Sequence, residues 1–214
     1  MSRTGAALRY PQFRRLWIGT FFAYTAQWLQ QTTLGWVAYQ LTGSATMIGA
    51  ILGARAIPLL LVPPIAGVAA DRFDRLRLLI GSQILFTIAS ALVGVAIALD
   101  ALRVWHLFVF IIVWGTAHSI DRTMRQSMIL DLVPRTVAID AIALNGIVYG
   151  VTRIVAPALA GYTIAWFSAA GNFFMQAVGY ALFGLTVLGL ELPPRVAAKD
   201  TVSPWRSLAE GFSY

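Results

Sequence analysis

Six apolar runs divide this sequence almost from end to end, and each approaches or exceeds the length that crosses the hydrocarbon of a bilayer. They are Leu16–Leu41, Met47–Ala70, Leu78–Leu99, Val104–Leu130, Ala141–Trp166 and Phe173–Leu190. A spanning helix needs roughly 20 apolar residues. Backbone polar groups in lipid must be bonded internally, which leaves helices or closed barrels, and the short alternating segments of a barrel are missing. Charge content agrees: 12% of the 214 residues are charged, against about a quarter in a soluble domain. The pattern predicts an all-α membrane protein with six transmembrane helices over residues 1–194. The first run follows Arg9, Arg14 and Arg15 as the core of a signal peptide would. It is longer than the roughly 7 to 15 residues of such a core and reads as a retained helix.

The cations give the orientation. Arg3, Arg9, Arg14 and Arg15 precede the first run, and Arg72, Arg75 and Arg77 separate the second from the third. Arg122, Arg125 and Arg135 lie at the end of the fourth and beyond it, while Arg195, Lys199 and Arg206 follow the sixth. The alternate connections, near 42–45, 100–103 and 168–172, hold Arg103 alone. Positive charge collects on the cytoplasmic side, so both termini are expected there, in the cell (inner) membrane. A net charge of +7 spread between apolar runs is not the basic face that binds nucleic acid. Membrane lipid and a small-molecule substrate are the expected partners. With no cysteine, thiolate metal sites and disulfides are excluded, and no cofactor or metal is expected.

Several polar residues interrupt the runs. Arg55 stands eight and Arg153 twelve residues beyond the start of its run, about 12 and 18 Å in at about 1.5 Å per residue, toward mid-bilayer. Each is followed by proline, Pro58 and Pro157. An arginine at that depth costs about 2.5–3.5 kcal/mol on insertion scales and should face the bundle interior. Two roles are open to it: contact with a substrate, or donation to backbone carbonyls freed by the prolines. On the first run Thr20, Tyr24, Gln27 and Gln31 share a helical face, which lines water or bonds a neighbouring helix. Trp17 and Trp36 fall where tryptophan anchors at the membrane surface. The fourth run ends with Trp114, His118, Asp121, Arg122 and Arg125 on one side, Asp121 and Arg125 forming an i, i+4 pair. No phosphate-binding loop, zinc-protease helix or serine elbow is found in the sequence, so the chain is not expected to be an enzyme or an ATP-driven pump.

The stretch GVAADRFDRLR, Gly67 to Arg77, resembles the signature G-x-x-x-D-R-x-G-R-[RK] that joins the second and third helices of the major facilitator superfamily. Gly67, Asp71, Arg72 and Arg75 match in spacing, Arg77 stands one place late for the last cation, and Asp74 replaces the glycine. Gly150, Pro157 and Gly161 resemble the fifth-helix antiporter motif of drug exporters, with Ala156 in place of its second glycine. DRTMRQSMILDLVPRTVAIDAIALN, from Asp121, is similar to the branch of enterobactin exporters and macrolide efflux proteins.

The resemblance implies half of a twelve-helix secondary transporter, built as two inverted three-helix repeats and exporting small molecules, drugs or siderophores, by alternating access. It implies a gating cluster in which Asp121 or Asp131 meets Arg72 or Arg75. It also implies that the second and fifth helices are both interrupted near the midplane. Cavity candidates are Tyr24, Gln27, Gln31, Arg55, His118 and Arg153. The partner would be a carboxy-terminal six-helix half or a second copy; a non-transporting assembly or sensor module is the alternative. Residues 195–214 are expected to begin the cytoplasmic central linker. Ser203 and Pro204 would open a short helix there, with Trp205, Leu208, Ala209 and Phe212 on its apolar face.

Overall fold

The computed structural model describes residues 5–192, apart from the side chains of Val68, Ala70, Asp71 and Arg72. The linker and its expected helix lie outside the described residues. What is described is helical, with no strand: α1 (Pro11–Thr42), α2 (Ala45–Ala54), α3 (Ala56–Arg72), α4 (Arg75–Ala98), α5 (Val104–Asp131) and α6 (Ala138–Val187). Four stretches are long and apolar enough to cross a membrane: Ala45–Gly67, Arg75–Ala98, Val104–Asp131 and Arg135–Val187. At 32 residues α1 is longer than most of them, but its threonines and glutamines dilute it.

Local chemistry fixes the boundaries. Pro11 starts α1 at a position where its missing N–H costs nothing. Gly43, at φ 61°, ends it by donating its N–H to the Tyr39 carbonyl at 2.7 Å. Ser44 caps α2 by accepting from the Met47 N–H at 3.3 Å. Asp74 does the same for α4, accepting from the Arg77 N–H at 2.8 Å. The residue that departs from the superfamily signature therefore serves as a helix cap.

The second run breaks where the sequence places Arg55. α2 stops at Ala54 and α3 starts at Ala56, and the Arg55 N–H meets the Leu52 carbonyl at a long 3.4 Å. Pro58 has no N–H to offer the carbonyl of Ala54, so the ladder lapses one turn before it. Pro63 and Pro64 lie within α3 without ending it.

The fifth and sixth runs depart from expectation. They form one continuous element whose single non-helical residue is Ser168 (φ 63°, ψ 171°). The helix is not broken at Gly150, Pro157 or Gly161, so the expected midplane interruption of this run is corrected to a sharp turn at its far end. One proline removes one hydrogen bond, which a helix held along its length by neighbours survives. Nor is the connection a loop over 168–172. The Ser168 hydroxyl accepts from the Gly171 N–H at 3.5 Å, and Asn172 Nδ2 donates to the Ala160 carbonyl at 3.3 Å, which ties the second arm back on the first. Ala169, Ala170 and Gly171 present little bulk to oppose an immediate restart.

The two arms, 138–167 and 169–187, clasp α1. Trp17 Nε1 donates to the Leu144 carbonyl at 3.2 Å and Leu29 packs on Ala156 and Ala160, so the first arm runs parallel to α1. The second arm runs back: Gly179 lies against Ala26, and Arg15 Nη1 donates to the Gly189 carbonyl at 3.1 Å. A Cβ on Gly179 would come 3.0 Å from that of Ala26, the close approach that small residues permit between membrane helices. α4 packs on the second arm and α5, and α3 on α5.

The core falls into two apolar clusters. One gathers Phe86, Phe110, Trp114, Phe173 and Tyr180; the other gathers Phe13, Leu16, Leu79, Met124, Met128 and Phe183. In chain order Gln83 and Asp121 fall between their members on α4 and α5.

Asp140, which the sequence did not single out, anchors the amino-terminal segment. Its carboxylate accepts from the Gly5 and Ala7 N–H groups at 3.0 and 2.8 Å, at the start of a short 3-10 helix, Ala6–Arg9. Asp140→Ala is expected to cost about 1–2 kcal/mol, the worth of charge-assisted caps. Amide exchange at Gly5 to Arg9 should rise at least tenfold while α4 and α5 stay protected. Unchanged exchange would show that the carboxylate does not hold the segment.

Candidate functional site

The site is built on the face shared by α1, the break between α2 and α3, α5 and the first arm of α6. At its base Asp121, fully buried, accepts from Gln83 Nε2 at 2.7 Å and from the Arg125 guanidinium. Arg125 is itself buried and lies between two rings, its Cζ 4.8 Å from the centroid of Tyr24 and 5.0 Å from that of Phe183. The Tyr24 hydroxyl accepts from Asn145 Nδ2 at 3.3 Å, linking this pair to α6.

Arg55 is half-buried and reaches across the break. Its Nη1 meets Gln31 Oε1 at 3.5 Å, and its Cζ sits 4.9 Å from the Trp114 ring centroid. Trp114 is fixed from its other sides. Its Nε1 donates to the Tyr180 hydroxyl at 3.1 Å, and His118 stacks on it at 4.7 Å with 11° between the planes. Phe86 stacks in turn on Tyr180 at 4.6 Å. Arg153 is exposed and lies over Trp28, 5.6 Å from its centroid; Tyr149 packs on Trp28 and edge-on to Tyr24. A guanidinium set over an aromatic face is worth about 0.5–2 kcal/mol.

The structure thus brings Gln31, Arg55 and His118 together around Trp114, and Tyr24 and Arg153 onto the rings of Tyr149 and Trp28. Gln27 is buried, and Thr20 bonds only the Leu16 carbonyl of its own helix. The loop residues gather elsewhere. Arg75 pairs with Asp131 at 2.6 Å and donates to Ser127 Oγ at 3.1 Å, clamping the start of α4 to the end of α5. Asp121 pairs with Arg125 and not with Arg75. Arg77 is exposed, Gly67 has open space beside it, and the side chains of Asp71 and Arg72 lie outside those described.

Sequence reading missed Gln83, the second partner of Asp121, because an isolated glutamine in an apolar run carries no spacing signal. It also missed Gln30, Ser90 and Gln176, which are buried with side-chain polar atoms that meet no protein partner among the described residues. A legible signal was overlooked in two Gly-x-x-x-Gly pairs, Gly49 with Gly53 on α2 and Gly146 with Gly150 on α6. A Cβ at any of the four, or at Gly161, would meet nothing within 4 Å, so both faces are open.

The transmembrane secretion effector family of the major facilitator superfamily matches this sequence over residues 2–212. The chain belongs to that family. Among curated relatives, the staphyloferrin A transporter of Staphylococcus aureus is 25% identical over 174 residues, 80% of this chain and 43% of its own length. An uncharacterized MFS-type transporter of Bacillus subtilis, YfiS, is 28% identical over 148 residues, 66% of this chain and 34% of its own. The chain spans less than half the length of both. Membership agrees with the apolar helices in making this secretion effector relative a helical membrane protein, and it places transport, not catalysis, at the centre of the family.

Proposed function

We propose that this chain forms one bundle of a secondary active transporter that exports small molecules of drug or siderophore type, by rocking against a second bundle about a shared central site. In this reading the spans number six, arranged as two inverted three-helix repeats, and both termini are cytoplasmic. The observation that carries it is the pair of open Gly-x-x-x-Gly faces on α2 and the first arm of α6, two elements that pack on α1. Small residues let helix backbones of a partner bundle approach closely. They also leave no side-chain interlock to oppose sliding, as alternating access requires. The partner is a further six-helix segment of the same gene product or a second copy.

The test uses inverted membrane vesicles carrying the whole gene product, energised by a proton gradient and offered ethidium, tetraphenylphosphonium or benzene-1,3,5-tricarboxylate. Accumulation of at least one, abolished by an uncoupler, is expected; accumulation of none ends the transporter reading. Orientation is read separately from Ala101→Cys and Thr136→Cys, both at exposed positions of this cysteine-free chain. In intact cells an impermeant maleimide should label Ala101→Cys and spare Thr136→Cys. The opposite pattern would invert the topology.

A further inference from the structure

Every described carboxylate on this chain is engaged or distant from the polar face, yet three arginines remain on it. Asp121 is taken by Arg125 and Gln83, Asp131 by Arg75, Asp140 by the amino-terminal backbone, and Asp74 caps α4. Asp100 lies in the turn after α4 and Glu191 beyond α6. Among the described residues Arg55, Arg122 and Arg153 have no ion-pair partner. Uncompensated charge within a membrane span is costly unless water or an opposing charge meets it.

The three are related through contacts on α1 and α5. Arg55 bonds Gln31 and Arg153 covers Trp28, and those α1 residues are one turn apart, about 4.5 Å along the axis. Arg122 follows His118 by one turn of α5, and His118 and Arg55 both lie against the Trp114 ring. Beside Arg153 stand flat aromatic faces, those of Trp28, Tyr149 and Tyr24, linked by ring contacts of 5.2–5.6 Å.

We infer that the substrate is a multivalent organic anion with a flat aromatic or similarly planar body, its carboxylate-type groups held by Arg55 and Arg153 with Arg122 at the rim. Guanidinium forks donate to two-oxygen anions in the plane of the group, and the aromatic walls cover a ring better than a flexible chain. This rests on the transporter reading for its consequence but is tested by binding alone.

The chain in lipid nanodiscs is titrated calorimetrically with benzene-1,3,5-tricarboxylate and with tetraphenylphosphonium. The tricarboxylate is expected to bind, with affinity falling as salt rises, and the cation to bind at least tenfold more weakly. Arg55→Gln and Arg153→Gln should each weaken the tricarboxylate at least tenfold. Arg55→Lys should weaken it about threefold, since charge survives and the fork does not. Arg103→Gln, in the loop before α5, should leave it unchanged. Arg153 is exposed, so its variant tests the site without threatening the fold. Tighter binding of the cation, no tricarboxylate binding, or binding indifferent to both glutamine variants overturns the inference. So does loss of binding in the whole gene product, where a carboxylate from another segment would then be the arginines' partner. Gradient-driven transport of the cation without tricarboxylate binding sinks this inference and spares the transporter reading. Tricarboxylate binding without any flux does the reverse.

Discussion

Asp121→Asn is expected to lower the thermal midpoint of the detergent-solubilised protein by roughly 10 °C. Removing one member of a buried ion pair leaves the other as an uncompensated charge, a loss of about 3–5 kcal/mol, and in a chain of this size each kcal/mol moves the midpoint by about 2–4 °C. Both members are buried here, at 0% and 5% exposure. Arg125 is enclosed by the rings of Tyr24 and Phe183, so it has no short path to water. Asparagine keeps the size and can still accept from Gln83, which isolates the charge as the cause. The double variant Asp121→Asn/Arg125→Met should recover at least half of the loss, because an apolar replacement of the whole pair is often neutral. Near-UV circular dichroism followed through the melt reads both. A single variant that melts with the parent protein would mean that Arg125 is hydrated and the pair is not a buried one.

Gly115→Val should do about half as much damage, for a steric reason. A Cβ at Gly115 would stand 2.5 Å from Cγ of Pro58 and 3.7 Å from Cγ of Arg55. The proline ring cannot rotate away, so α3 must move off α5. That separation also breaks the bond from Ser119 Oγ to the Pro58 carbonyl, 3.4 Å long, and lifts Arg55 from Trp114. Overpacking of this kind costs about 1–3 kcal/mol. Gly81→Val is the control, since a Cβ there meets nothing within 4 Å. The expected result is a fall of about 5 °C for Gly115→Val and under 2 °C for Gly81→Val, with the tryptophan emission of the first variant shifted as Trp114 loses its cover. Equal midpoints for the two would show that α3 and α5 are not held in this close contact.

The helical class, the membrane environment and the positions of most helix ends were legible in the sequence by itself. These depend on local quantities: the length of apolar runs, prolines that withdraw a donor, and serine or aspartate placed to cap. The break at Arg55 could be foreseen because Pro58 acts within one turn. The same reasoning failed at Pro157, where the identical chemistry left the helix unbroken. Whether a lost hydrogen bond becomes a kink depends on what packs around it, and the first arm of α6 lies along α1 for most of its length.

Tertiary structure alone decided the partners. The signature loop and the end of α5 offered Asp121 and Asp131 as equal candidates for the arginines near α4. The fold gave Arg75 to Asp131, and placed Asp121 nearly three turns deeper, bonded to Gln83. Ten residues separate those two aspartates along one helix, so the choice is a matter of depth that spacing does not encode. The same holds for Asp140, whose partners lie 133 and 135 positions away, and for the meeting of Arg55 with Trp114. The sequence determined which side chains had to be kept from lipid, because that cost belongs to each residue. Which of them met was decided by how the helices cross, since a contact between distant residues exists only once the packing of whole helices has set their depth and rotation.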